Sequence, residues 1–130
     1  MQEPVWILDA AVDAIHKRLL SQFGGSEGVR DAGLLESALA RPKNRFAYAE
    51  TPLILPELAA AYAYGICKNH PFADGNKRTA MAVAITFLEF NGTEVTATQE
   101  DAYLTFLSLA AGDVSEEELT AWFVKNTVQP

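Results

Sequence analysis

The stretch PELAAAYAYGICKNHPFADGNKRTAMAVAITFLEF, Pro56 to Phe90, decides how this chain folds. Leu58 to Lys68 is apolar at almost every position, and Pro56 stands where a helix tolerates a missing N–H, in its first turn. The spacing predicts a helix buried on most sides. Asn76 to Phe90 is again apolar around most of its circumference and is closed by Asn91-Gly92, so a second central helix is expected to pack on the first. A turn-rich break, Asn69 to Gly75, joins them. Upstream, Asp9 to Phe23 carries Ala11, Val12, Ile15, Leu19, Leu20 and Phe23 at helical spacing before Gly24 and Gly25 stop it. Asp31 is placed to cap a short helix through Leu34, Leu35, Ala38 and Leu39, expected to end before Pro42. Pro42 to Leu55 loses the helical period and reads as a loop or a small hairpin. Downstream, Thr98 with Asp101 and Ser115 with Glu118 read as capping boxes that open two further helices, and Thr93 to Thr96 as extended chain. The expectation is all-α: one compact domain over residues 1–130, of about six helices.

The composition narrows what such a domain does. Its formal net charge is -7, a balance that opposes direct nucleic-acid coating and adhesion to an anionic membrane. No apolar run has the length of a membrane span, and Met1 to Leu8 lacks the pattern of a secretion signal, so a soluble cytoplasmic protein is expected. The single cysteine, Cys67, forms no internal disulfide and excludes a multi-thiolate metal site. It reads as a small buried residue beside the site.

The chemistry falls in the break between the two central helices. An imidazole can take a proton from a hydroxyl, which makes His70 the candidate general base. Gly75 permits a tight turn that exposes the first amides of the next helix, from Asn76 onward, to an anion, and phosphate is the natural guest. Lys77 adds a point charge, Arg78 a planar fork of donors, and Lys68 approaches from the preceding helix end. Asp74 would repel a bare phosphate, so it is assigned to Mg²⁺. The expected ligand is ATP or another nucleoside triphosphate.

His70-Pro71-Phe72-Ala73-Asp74-Gly75-Asn76-Lys77-Arg78 resembles the signature of the Fic/Doc superfamily, and its Lys-Arg ending resembles the death-on-curing (Doc) branch, HxFx(D/N)(A/G)NKR. At roughly 5% usage per residue type, chance matches those seven positions on the order of once in 10⁸ starting points. The flanking GGSEGVRDAGLLESALARP and TAMAVAITFLEFNG are also similar to Doc-type sequence. The resemblance implies the all-α Fic/Doc fold, with His70 as general base, Asp74 on Mg²⁺, and Gly75, Asn76, Lys77 and Arg78 at the phosphates. Adenylyl-transferring Fic proteins read HxFx(D/E)GNGRxxR. This chain departs from that pattern at Lys77 and Met81, which implies transfer of the terminal phosphate to a protein hydroxyl, as in Doc. The alternatives are nucleotidyl transfer and a non-catalytic interaction module of the same fold. The resemblance further implies a toxin of a bacterial toxin-antitoxin pair, translation elongation factor Tu as target, and an antitoxin whose tail folds as a helix in a groove of the toxin. By the same resemblance, Pro42 to Leu55, preceded by Arg41 and carrying Lys43 and Arg45, stands where Fic-type proteins carry a flap that docks the target by strand addition. His16 is expected to be a surface or hydrogen-bonded residue, Phe72 a plug pinning the loop, and Trp6 and Trp122 closures of the core.

Overall fold

A computed structural model describes residues 2–129; Met1 and Pro130 lie outside the described residues. Two helices form its centre, α3 (Leu55–Asn69) and α4 (Asn76–Phe90), with α1 (Asp9–Phe23) and α2 (Ala32–Ala47) before them and α5 (Gln99–Ala110) and α6 (Glu116–Lys125) after. The fold is all-α, with six helices and one minimal sheet in which β1 (Glu94–Val95) pairs antiparallel with β2 (Thr127–Val128). Among the described residues no helix is long and apolar enough to cross a membrane.

The alanine-rich sequence of α3 explains its central place. Leu58 to Ala63, with Gly65 and Ile66, are buried, so α2, α4 and α6 all pack on it. Small side chains let the helices approach closely, and Gly65 marks one such crossing. A Cβ there would lie 3.2 Å from the Ala38 carbonyl oxygen of α2. Around this centre Tyr62, Phe87 and Trp6 pack ring on ring, and Phe106, Trp122 and Phe123 form a second aromatic group between α5 and α6. Trp6 and Trp122 thus close the core from the two ends of the chain. The Tyr62 hydroxyl accepts a hydrogen bond from the Ile7 amide at 3.1 Å, and burial pushes its pKa above the ordinary phenol value.

The expected end of α2 before Pro42 is overturned. The helix runs on to Ala47, with Pro42 buried inside it. Proline removes the N–H that would have met the Ala38 carbonyl, and that same carbonyl faces the bare backbone of Gly65. On either side of the proline Arg41 and Arg45 pair with Glu116, and beyond it Arg45 also pairs with Glu57 while Phe46 meets Trp6 edge-on at 5.9 Å. Tertiary contacts hold a turn that local preference disfavours. The loop expected over Pro42 to Leu55 therefore shrinks to residues 48–54.

Thr98 caps α5 by accepting from the Asp101 amide at 3.1 Å, but the box expected there is only half formed. The Asp101 carboxylate accepts from Trp122 Nε1 at 3.1 Å instead. Ser115 and Glu118 complete their box, at 3.0 Å in both directions.

Candidate functional site

The loop between α3 and α4 is short, and nearly every part of it is fastened. His70 caps α3 in the left-handed region, φ 50 and ψ 54, and is the one non-glycine with positive φ among the described residues. That conformation costs an L-residue roughly 1–2 kcal/mol, so something must hold it. Arg30, from the segment joining α1 to α2, does so. Its Nε donates to the His70 carbonyl at 2.8 Å and its Nη2 to the Asn69 carbonyl at 3.0 Å. Further along, the amides of Arg30 and Asp31 donate to the Pro71 carbonyl at 2.7 and 3.1 Å, and the Ala73 amide donates to the Gly28 carbonyl at 3.0 Å. Val29 and Phe72 thus form an antiparallel bridge.

Phe72 is fully buried, the plug expected from its sequence position. Asn76, 4% exposed, closes the loop in a ring: its Oδ1 accepts from the Phe72 amide and its Nδ2 donates to the Phe72 carbonyl, both at 3.0 Å. Its side chain is consumed there, which leaves its backbone amide for a ligand. Gly75 caps α4 with φ 79, a left-handed turn that glycine adopts without cost.

Asp74 and His70 are exposed. The Asp74 carboxylate accepts from the Gly75 amide at 2.9 Å and the Ser26 amide at 3.3 Å. Gly25 makes the second contact possible, because a Cβ there would lie 2.8 Å from Asp74 Oδ2. Asp31, Thr98 and Ser115 cap α2, α5 and α6 with their side chains, but no side chain caps α4. The first-turn amides of α4 are thus left for an anion, with Lys77 exposed beside them. Arg78 lies between two rings, 4.3 Å from the Phe23 centroid and 5.3 Å from that of Tyr103. These three line a groove of about 610 Å³ between α1, α4 and α5, with Leu19, Met81 and Ile85.

Lys68 is turned elsewhere. It lines a cavity of about 690 Å³ with Arg41, Tyr64, Cys67 and Glu116. Burial pushes the Cys67 thiol up to about 12, with the nearby Lys77 charge pulling the other way. A thiol so shifted stays protonated near neutral pH, although the residue, expected to be buried, is only half-buried on the cavity wall. Among the described residues no three His, Cys, Asp or Glu side chains cluster to hold a metal ion. That donor set still fits Mg²⁺, which commonly takes one carboxylate and fills its remaining positions with substrate phosphates and water.

The expected docking flap is misplaced. Residues 48–54 lie at the far end of α3, and a helix of 15 residues is roughly 22 Å long. The extended segment beside the motif is residues 25–31. Arg41 and Arg45, read as part of a docking cluster, are instead occupied by Glu116 and Glu57. The sequence reading also missed the role of Arg30. The run Gly24-Gly25 to Gly28 marks the segment as one built for close backbone approach, but nothing in it points to Arg30 itself.

An all-α core, a nine-residue polar motif between its central helices and an open helix N-terminus beside a strained histidine define a Fic-type fold. The chain belongs to the Fic/DOC family, whose model matches residues 6–88. It is 37% identical over 102 residues to the protein kinase Doc of Escherichia phage P1, covering 78% of this chain and 79% of that one. It is also 45% identical over 75 residues to the toxin Doc of Mycolicibacterium smegmatis, 58% of each chain.

Proposed function

We propose that this chain is the toxin of a bacterial toxin-antitoxin pair and transfers the terminal phosphate of ATP, or another nucleoside triphosphate, to a hydroxyl of a target protein. The carrying observation is the uncapped first turn of α4, with Lys77 beside it, which follows directly on a loop whose exposed histidine has its backbone held in the left-handed region. In this reading the amides of Asn76, Lys77 and Arg78 receive the terminal phosphate. His70 takes the proton of the incoming hydroxyl as its oxygen attacks the γ-phosphorus, the bond to the β–γ bridging oxygen breaks, and the nucleoside diphosphate leaves. Asp74 holds Mg²⁺, which when bound supplies charge neutralisation along the phosphates. Lys68 is the weakest member of the proposed nucleotide set, because it lines the neighbouring cavity.

Lys77 supports phosphoryl over adenylyl transfer, since it puts a long cation where adenylyl-transferring Fic proteins have glycine. Similarity to the phage protein, a kinase by name, supports the same choice. Elongation factor Tu as the target and the cytoplasm as the place of action rest on the resemblance of the motif to the Doc branch. The groove between α1, α4 and α5 is apolar at Leu19, Phe23, Met81 and Ile85 and is rimmed by Arg78. It suits an antitoxin tail that folds into a helix with one apolar face and acidic residues toward Arg78. We take residues 1–130 as one domain of the family, because α5 and α6, beyond the matched region, pack on α4 and α3.

Incubating the protein and its target with γ-labelled and, separately, α-labelled ATP tests the reading. Label on the target from the γ position alone is expected. Label from the α position replaces it with nucleotidyl transfer, and no label from either leaves an interaction module.

A further inference from the structure

The chemistry above makes no use of a second histidine that touches the same loop. His16 lies midway along α1 and is 2% exposed. Its ring stacks on Phe72 with centroids 3.9 Å apart and planes 16° from parallel. Its Nε2 lies 2.8 Å from the backbone oxygen of Asp74. A carbonyl only accepts, so Nε2 carries the hydrogen and donates. A Cβ on Gly75 would lie 3.8 Å from the same ring. One buried side chain therefore contacts Phe72 and Asp74 and leaves room for no more than a methyl group at Gly75. The only other hydrogen bonds to Asp74 among the described residues come from the amides of Gly75 and Ser26 to its carboxylate. Those two donors lie in exposed or half-exposed backbone, whereas the His16 ring that donates to the Asp74 carbonyl is itself buried.

We propose that His16 is a positioning residue for Asp74: by clamping its carbonyl it fixes the peptide plane from which the carboxylate projects toward the divalent cation of the bound nucleotide. The proposal rests on the reading of Asp74 as the residue that holds that cation. Its chemistry is that of an outer partner that orients a metal ligand, whose loss typically costs 10–100-fold in metal affinity.

The test compares full-length His16→Phe, His16→Gln and Asp74→Ala with the unmodified protein, after near-ultraviolet circular dichroism has shown each to be folded. Phenylalanine keeps the stack on Phe72 and loses the donor. Glutamine keeps a donor, its Nε2 being as many bonds from the backbone as that of histidine, and loses the stack. Mn²⁺ is titrated in the presence of a non-hydrolysable ATP analogue and followed by loss of the free-ion electron paramagnetic resonance signal; the analogue's affinity without metal is measured in parallel. His16→Phe is expected to weaken Mn²⁺ binding by about tenfold or more while leaving metal-free nucleotide affinity unchanged. His16→Gln retains most of the binding, and Asp74→Ala loses at least as much as His16→Phe. If Asp74→Ala weakens Mn²⁺ but His16→Phe does not, or if His16→Gln loses as much as His16→Phe, the positioning role is overturned and the Asp74 reading stands. If Asp74→Ala binds Mn²⁺ normally, that reading falls and the proposal with it. Should His16→Phe not fold, His16→Leu takes its place with the same expectations.

Discussion

Helix α3 ends in two loops that the rest of the molecule treats differently. At its N-terminal end residues 48–54 are exposed or half-exposed, and the bonds that hold them are local ones, from Tyr48 to Asn44 and between Ile54 and Glu57. At its C-terminal end the six residues from His70 to Gly75 receive hydrogen bonds from Arg30, Asp31, Ser26, His16 and Asn76, and a fully buried phenylalanine anchors them. Each loop only joins α3 to a helix packed on it, α2 in the first case and α4 in the second, so connection alone does not demand the difference. The tightly held loop is the one that keeps a histidine in a costly conformation with its side chain facing water.

The comparison breaks most directly at His70. His70→Ala is expected to lower the transfer rate by roughly 10² to 10⁴, measured with γ-labelled nucleotide, while the thermal midpoint stays unchanged or nearly so. A variant of undiminished activity would remove the base from the mechanism. Phe72→Ala attacks the anchor instead. Emptying a fully buried phenylalanine site should cost about 3–5 kcal/mol in urea unfolding, and a loss under about 1 kcal/mol would mean the plug is not structural. Arg30→Ala removes two donors from the end of α3 at an exposed position, so its stability cost is modest, about 1 kcal/mol or less. Its turnover should nonetheless fall by about tenfold or more, because His70 loses the group that fixes its backbone. Equal losses in nucleotide affinity and turnover would count against that. Thr51→Ala, in the loosely held loop, should stay within about 0.5 kcal/mol of the parent and keep full activity; any large effect there would erase the contrast between the two ends.

Much of this was readable in the chain itself, for identifiable reasons. Helices α1, α3, α4, α5 and α6 show as apolar periodicity bounded by caps, and both signals are local. The second half of α2 was hidden because its support comes from Gly65, Glu57 and Glu116 rather than from its own sequence. Strand β2 was hidden because two residues are too few to show alternation. In the site, His70 and Asp74 to Arg78 could be picked out since they are contiguous and chemically distinctive. Arg30 and His16 could not, because each reaches across 40 and 58 positions to a backbone carbonyl, a group that every residue possesses. Arg78 was legible as a cation but not as one held between Phe23 and Tyr103, which approach it from two other helices.

The bridge between Val29 and Phe72 carries a mechanical consequence. Because amides and carbonyls of residues 28–31 are interlaced with those of Pro71 and Ala73, neither strip can peel away without loosening the other. A pull on the outer strip would be handed through Arg30 to the imidazole-bearing residue, so the two strips yield together or not at all.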